Sequence, residues 1–133
     1  KYIAEPGRFM CTTSHTLVCH VIGIKPITKD GTKEFIYTIN ESIYGNFNCI
    51  LFDHAKPNIL PFNERDEKKY TSKIVGHTCD GLDVVTSDEN QIKLPKLAIG
   101  ECVFIQNFGA YTRASSSCFN GFTQPHIHYI ITS

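Results

Sequence analysis

The stretch LVCHVIGIKPITKDGTKEFIYTI, residues 17–39, decides the fold class. Residues 17–24 form an apolar, β-branched run, and residues 34–39, EFIYTI, form a second. Between them stands Lys29-Asp30-Gly31. An Asp-Gly pair between two such runs is a reversal signal, because both residues enter the left-handed backbone region at low cost. Two strands joined by a turn are therefore predicted. Runs of the same kind recur at residues 49–52, 74–75, 82–85, 102–106 and 127–131, separated by Gly, Pro and Asn clusters. Few segments keep a helical period for ten residues, and the best helical candidate is a short turn after Pro6-Gly7. Many short strands with regular turn signals predict an all-β sandwich or barrel with a few short helices. Residues 56–70 are polar, with Pro57, Pro61 and a charged run at 64–69, and read as a surface excursion.

The 133 residues suit one domain with a real core. Hydrophobic residues at 41% and charged residues at 20% are ordinary for a soluble globular protein. Thirteen basic and thirteen acidic side chains cancel, so the balance gives no sign of a nucleic-acid or anionic-membrane surface and leaves self-association open. Six cysteines occur without a Cys-x-x-Cys pair or zinc-ligand spacing. Free, mostly buried thiols in a reducing compartment are expected. His126 and His128 alternate and would share one face of a strand, but no Cys or carboxylate stands at ligand spacing, so no metal site is expected. No signal peptide and no membrane-length apolar run is visible. The chain enters Ile3-Ala4 directly after Lys1 and reads as part of something longer.

Three places carry chemistry. In Glu5-Pro6-Gly7-Arg8 a Pro-Gly turn can bring a carboxylate and a guanidinium close together. A guanidinium fits phosphate through paired hydrogen bonds, and a carboxylate can hold a protonated pyridine nitrogen; an ion-paired surface turn is the plainer alternative. In Thr78-Cys79-Asp80-Gly81-Leu82-Asp83 a thiol stands beside a carboxylate at a flexible loop tip. A thiol keeps its proton near neutral pH and can give it to a carbanion. Asp53, after the apolar run 49–52, either binds a cationic ligand or caps the next turn. The aromatic, glycine-rich segments around Tyr111 and Phe119 read as core.

Taken together and in order, EPGR at residues 5–8, YGNFNCILFDH at 44–54, CDGLD at 79–83, GAYT at 109–112 and FNGF at 119–122 resemble the eukaryotic ornithine decarboxylase family of group IV pyridoxal-phosphate-dependent decarboxylases. The resemblance runs from about residue 3 to residue 131. It implies an amino-terminal (β/α)8 barrel, absent here, followed by a Greek-key-like β-domain. Residues 1–133 would be that single carboxy-terminal domain, with residues 1–8 the end of the barrel region. The lysine that holds the cofactor covalently would lie in the barrel, so the fragment alone would be inactive.

The resemblance also implies roles. Pyridoxal 5'-phosphate is the implied cofactor and L-ornithine the substrate, decarboxylated to putrescine in polyamine biosynthesis. Glu5, Pro6, Gly7 and Arg8 would form the cofactor-binding turn, with Glu5 on the pyridine nitrogen and Arg8 and Tyr111 on the phosphate. Asp53 and Asp80 would hold the distal ammonium, with a backbone contact from Phe52. Cys79 would protonate the α-carbon. Tyr44 and Phe119 would line the pocket at a homodimer interface. Cys79 and Asp80 would serve the partner's site, while Glu5, Arg8, Asp53 and Tyr111 face their own barrel. The implied setting is cytoplasmic, with an antizyme-type regulator binding through the barrel, no nucleic acid and no membrane. Phe52 stands where many members have Tyr, and His77 where Pro is common. The alternatives are a relative acting on arginine, lysine or diaminopimelate, or a non-catalytic homologue of the antizyme-inhibitor kind.

Overall fold

The computed structural model describes residues 1–131. The expected hairpin is present as β1 (Leu17–Lys29) and β2 (Thr32–Ile39). Lys29 pairs with Thr32, which leaves Asp30 and Gly31 as a two-residue loop with φ of 50° and 74°. Positive φ at both central positions matches the twist of the flanking strands. β1 runs five residues beyond the apolar stretch and passes through Pro26. There it has β2 on one side only, so the missing proline N–H interrupts no ladder.

β1 also bends. Its register against β2 slips between Val21 and Gly23, the mark of a bulge. A Cβ on Gly23 would lie 3.2 Å from the Thr38 side chain, so the close approach of the strands there favours glycine. Below the bulge residues 17–20 pair with β6 (Cys102–Ile105), and above it the strand pairs with β2. One strand thus serves two parts of a curled sheet. β3 (Leu60–Pro61), β4 (Lys69–Val75) and β5 (Ile92–Pro95) complete the order β3-β6-β1-β2-β4-β5. Curling brings the end strands β3 and β5 into contact without closing the sheet. A cleft of about 500 Å³ lies there, flanked by Glu64, Arg65, Lys69 and Lys93. The fold is an all-β, nearly closed barrel with two short helices, α1 (Gly7–Cys11) and α2 (Cys49–Asp53).

Alternation fills the interior. Cys19 and Val21 from β1 and Phe35, Tyr37 and Ile39 from β2 point inward, joined by Ile74, Leu94, Val103 and Ile105. Phe35 packs on both Tyr37 and Tyr70, and the buried Tyr37 hydroxyl accepts the Leu97 N–H at 3.1 Å.

β2 and β4 are parallel while the other ladders are antiparallel. A parallel pair needs a long crossover. Here the crossover is residues 40–68, and it carries Tyr44 and Asp53.

Several expectations need correction. Residues 49–52 are helical, not extended: a four-residue apolar run carries no period, and α2 ends at His54 in a left-handed conformation. Asp53 therefore ends a helix rather than a strand. Residues 82–85 contribute only the bridge from Val84 to Val75. Residues 127–131 form no strand, because nothing among the described residues pairs with them; His126 and His128 accordingly share no strand face. The excursion at 56–70 buries Pro57 and Ile59 and supplies β3. All six cysteines are free, but only Cys19 and Cys49 are buried, and burial raises both thiols above their ordinary range.

Candidate functional site

The chemistry-bearing residues fall into two groups. The first gathers around α1. Gly7 N–H donates to the Glu5 carbonyl at 2.9 Å, and Met10 N–H to the Pro6 carbonyl at 3.1 Å, which sets the turn. Arg8 leaves α1 and forms an ion pair with Asp53 at the end of α2. Its guanidinium carbon lies 5.0 Å from the centre of the Tyr111 ring. A Cβ on Gly7 would meet the Tyr111 hydroxyl, so glycine lets the tyrosine lie across the turn. Tyr111 itself holds a φ of 55°.

The Pro-Gly turn does not bring Glu5 and Arg8 together, as the sequence suggested; Arg8 takes Asp53 instead. Asp53 in turn caps no helix or turn among the described residues. The side chains of Arg8 and Asp53 are 49% and 38% exposed, so the pair adds little stability and mainly sets orientation. A cavity of about 280 Å³ adjoins Arg8, lined also by Cys49, Lys56, Phe108 and Thr112. Phe52 is 75% exposed, its side chain turned away from the core.

The second group is the loop after β4. The Asp80 carboxylate accepts the Leu82 N–H at 2.9 Å and the Tyr44 hydroxyl at 2.6 Å. Cys79 is exposed, with the Asn120 amide 3.4 Å from its sulfur. Phe119 packs on Tyr44 with ring centres 4.2 Å apart, and Phe122 stacks on His77 at 3.7 Å. The loop aromatics are thus partly exposed rather than core; Phe108 alone among them is buried.

Buried polar side chains that sequence reasoning passed over hold both groups. Asp83, 2% exposed, accepts the Ile43 N–H at 3.0 Å, the Thr78 N–H at 3.1 Å and the Thr78 hydroxyl at 2.7 Å. A Cβ on Gly76 would overlap the Asp83 carboxylate, so glycine is required there. Buried Glu41 accepts the Ser42 and Asn46 N–H groups and the Asn46 amide, fixing the turn that carries Tyr44. Asn48 donates to the Gly45 and Thr112 carbonyls and so ties the Tyr44 turn to the Tyr111 turn. Each of these residues reads in sequence as an ordinary loop polar group; Asn48 and Asp83 stand within the motifs but carry no role there, and Glu41 lies outside them.

The Tyr44–Asp80 bond polarises both partners. Donation to Asp80, followed by partial burial, pushes the Tyr44 hydroxyl up to about 12. The Leu82 N–H, then Tyr44, holds the Asp80 carboxyl below its ordinary range. A raised phenol contributes stability that is complete below its unfolded value of 10 and is lost as pH climbs toward 12. A depressed carboxyl contributes stability above its unfolded value that is lost as pH falls toward its folded one. In an alkaline absorbance titration, Tyr44→Phe should remove one tyrosine that ionises near pH 12. A missing transition centred near 10 would show that the bond does not form.

Comparison with known proteins bears on both groups. Residues 8–109 match the family model described as "Pyridoxal-dependent decarboxylase, C-terminal sheet domain". Ornithine decarboxylase from Cricetulus griseus is 41% identical over 99% of this chain and 30% of its own length. Antizyme inhibitor 2 from Xenopus laevis is 39% identical over 97% of this chain and 30% of its own. The chain thus spans less than a third of these relatives. Among solved structures, the arginine decarboxylase of Paramecium bursaria Chlorella virus superimposes with a TM-score of 0.82 at 35% identity, over 93% of this chain and 32% of that one. The Selenomonas ruminantium lysine decarboxylase, in complex with pyridoxal phosphate and cadaverine, gives 0.77 at 37% identity, over 89% and 29%.

Proposed function

This chain belongs to the pyridoxal-dependent decarboxylases as their C-terminal sheet domain, and from that premise we propose that it is the carboxy-terminal part of an ornithine decarboxylase, making putrescine and carbon dioxide from L-ornithine. Residues 1–8 would be the end of a preceding (β/α)8 barrel. In support, α1 buries none of its residues, and Tyr2, Ile3, Phe9 and Met10 present apolar surface that a neighbouring domain can cover.

The residues fit the family's cofactor. Gly7 lets the Tyr111 hydroxyl lie close against the turn beside Arg8, where a Cβ would collide with it. Arg8 and Tyr111 bring exposed donors to that place. Pyridoxal phosphate, when bound, supplies a ring that takes up the electron pair left as carbon dioxide departs. Arg8 has five N–H donors, enough to serve a phosphate while it keeps Asp53. Glu5 makes no ion pair among the described residues and is available to keep a proton on the pyridine nitrogen. Asp53 and Asp80 would hold the substrate's distal ammonium from two sides. Cys79 would pass its Sγ proton to the substrate α-carbon.

One observation carries this reading: Cys79 and Asp80 share one exposed loop, yet no hydrogen bond or ion pair among the described residues joins them to Arg8, Asp53 or Tyr111. Two such half-sites make a whole one when a second copy of the chain brings its Cys79 loop to the Arg8 group. The reading is therefore a homodimer with shared sites. It puts the enzyme in the cytoplasm, where free thiols stay reduced, and leaves an antizyme-type regulator to the barrel.

Cys79→Ala in the full enzyme tests it. The variant should bind cofactor and release carbon dioxide but protonate the wrong carbon more often, so that aldehyde and pyridoxamine phosphate accumulate. A product ratio equal to wild type would sink the assignment. The second reading, an arginine, lysine or diaminopimelate decarboxylase, draws on the structural likeness to arginine and lysine decarboxylases. A non-catalytic role like that of antizyme inhibitor 2 fits less well, since Glu5, Arg8, Cys79, Asp80 and Tyr111 are all present.

A further inference from the structure

The segment at residues 118–122 touches the Cys79 loop at two points and the adjoining Tyr44 turn at a third. Phe119 packs on Tyr44, Phe122 stacks on His77, and between them the Asn120 amide nitrogen lies 3.4 Å from the Cys79 sulfur. We propose that Asn120 is a positioning residue for the proton donor: its amide donates to the Cys79 sulfur and turns the thiol hydrogen toward the substrate carbon. The inference rests on reading Cys79 as that donor.

The chemistry follows from the donor inventory. An amide NH2 offers hydrogens and no acceptor. A sulfur facing it accepts, and its own hydrogen must point elsewhere. Once the proton has moved to carbon, the same amide faces a thiolate, and a hydrogen bond to a charged acceptor is the stronger kind. Asn120 thus holds the sulfur before transfer and steadies its charge afterwards.

A simpler account of Asn120 exists. Its backbone stands at φ 57° and ψ 19°, the left-handed region that asparagine enters more readily than most residues. If shape alone explains the residue, glycine will serve as well, since glycine adopts that conformation without cost. Asn120→Gly therefore keeps the backbone, removes the amide, and separates the two accounts.

The experiment uses the full enzyme with Cys79→Ala as reference. Asn120→Gly is expected to unfold at the wild-type temperature and bind cofactor with wild-type affinity. Its share of aldehyde product should nevertheless rise severalfold toward that of Cys79→Ala. A second arm uses the cofactor-free protein and follows iodoacetamide labelling of Cys79 by peptide mass. Asn120→Asp, which also tolerates the backbone, puts a carboxylate against the sulfur and should slow labelling about fivefold at low salt. Wild-type products from Asn120→Gly, while Cys79→Ala misprotonates, overturn the proposal, as does unchanged labelling in Asn120→Asp. If Cys79→Ala itself gives wild-type products, the reading of Cys79 falls and the proposal with it, and the labelling arm still reports whether Asn120 faces the thiol.

Discussion

Asp80→Ala should lower kcat/KM for ornithine by roughly two orders of magnitude or more in the full enzyme. The carboxylate is held ready: the Leu82 N–H and the Tyr44 hydroxyl point both of its oxygens, and both bonds favour the ionised form. A substrate ammonium brought against it loses water, and removal of the carboxylate leaves that charge unpaired. The control is an ornithine analogue without the distal amine. It has no ammonium to hold, so Asp80→Ala should handle it as poorly as wild type does, and the preference for ornithine should collapse. Retention of the wild-type preference would exclude Asp80 from the clamp. Asp53→Ala should narrow the preference too, but with a second symptom. Because Asp53 is paired with Arg8, its loss should also disturb cofactor affinity, which Asp80→Ala leaves alone.

The second large effect is on stability. Asp83→Ala strips the acceptor from three donors at once, the buried Ile43 N–H and the partly buried N–H and hydroxyl of Thr78. Hydrogen bonds to a charged group are each worth about 1.5–3 kcal/mol, and part of that returns through relaxation, so a loss of about 3–5 kcal/mol is expected. Urea unfolding measures it through the midpoint at unchanged slope. A loss of about 1 kcal/mol or less would mean the three bonds do not form as described. Asp83→Asn should fall between, because its amide nitrogen must face a donor on one side.

How much of this was legible depended on how local the cause was. Asp30-Gly31 sets its turn through its own backbone angles, and the hairpin was readable from it. The short helix after Pro6-Gly7 was readable for the same reason. Residues 49–52 were not, because what makes them helical is the buried frame of Asn46, Phe47 and Asn48 before them. The strand β5 is four residues beside a charged stretch and exists because β4 stands next to it. At the site, family motifs pointed to Arg8, Asp53, Cys79, Asp80 and Tyr111. They did not show that Arg8 meets Asp53, 45 positions away, or that Tyr44 meets Asp80 across 36. Asn120 was quoted within a motif, but its meeting with Cys79 spans 41 positions and needs the fold to be seen.

Because the sheet stops short of closure it keeps two open edges, and an open edge is a template on which another molecule's strand can grow. The edges here are poor templates. β3 is two residues long and ends on Pro61, which has no N–H to offer. β5 is four residues long, carries Lys93 and ends on Pro95. Arg65, paired with Glu101, pins a charged segment beside the gap. A fibril-forming edge needs a run of free backbone donors on a flat, uncharged strand. Neither edge supplies one, so the domain can leave its barrel ajar at high concentration without neighbouring copies zipping into the opening.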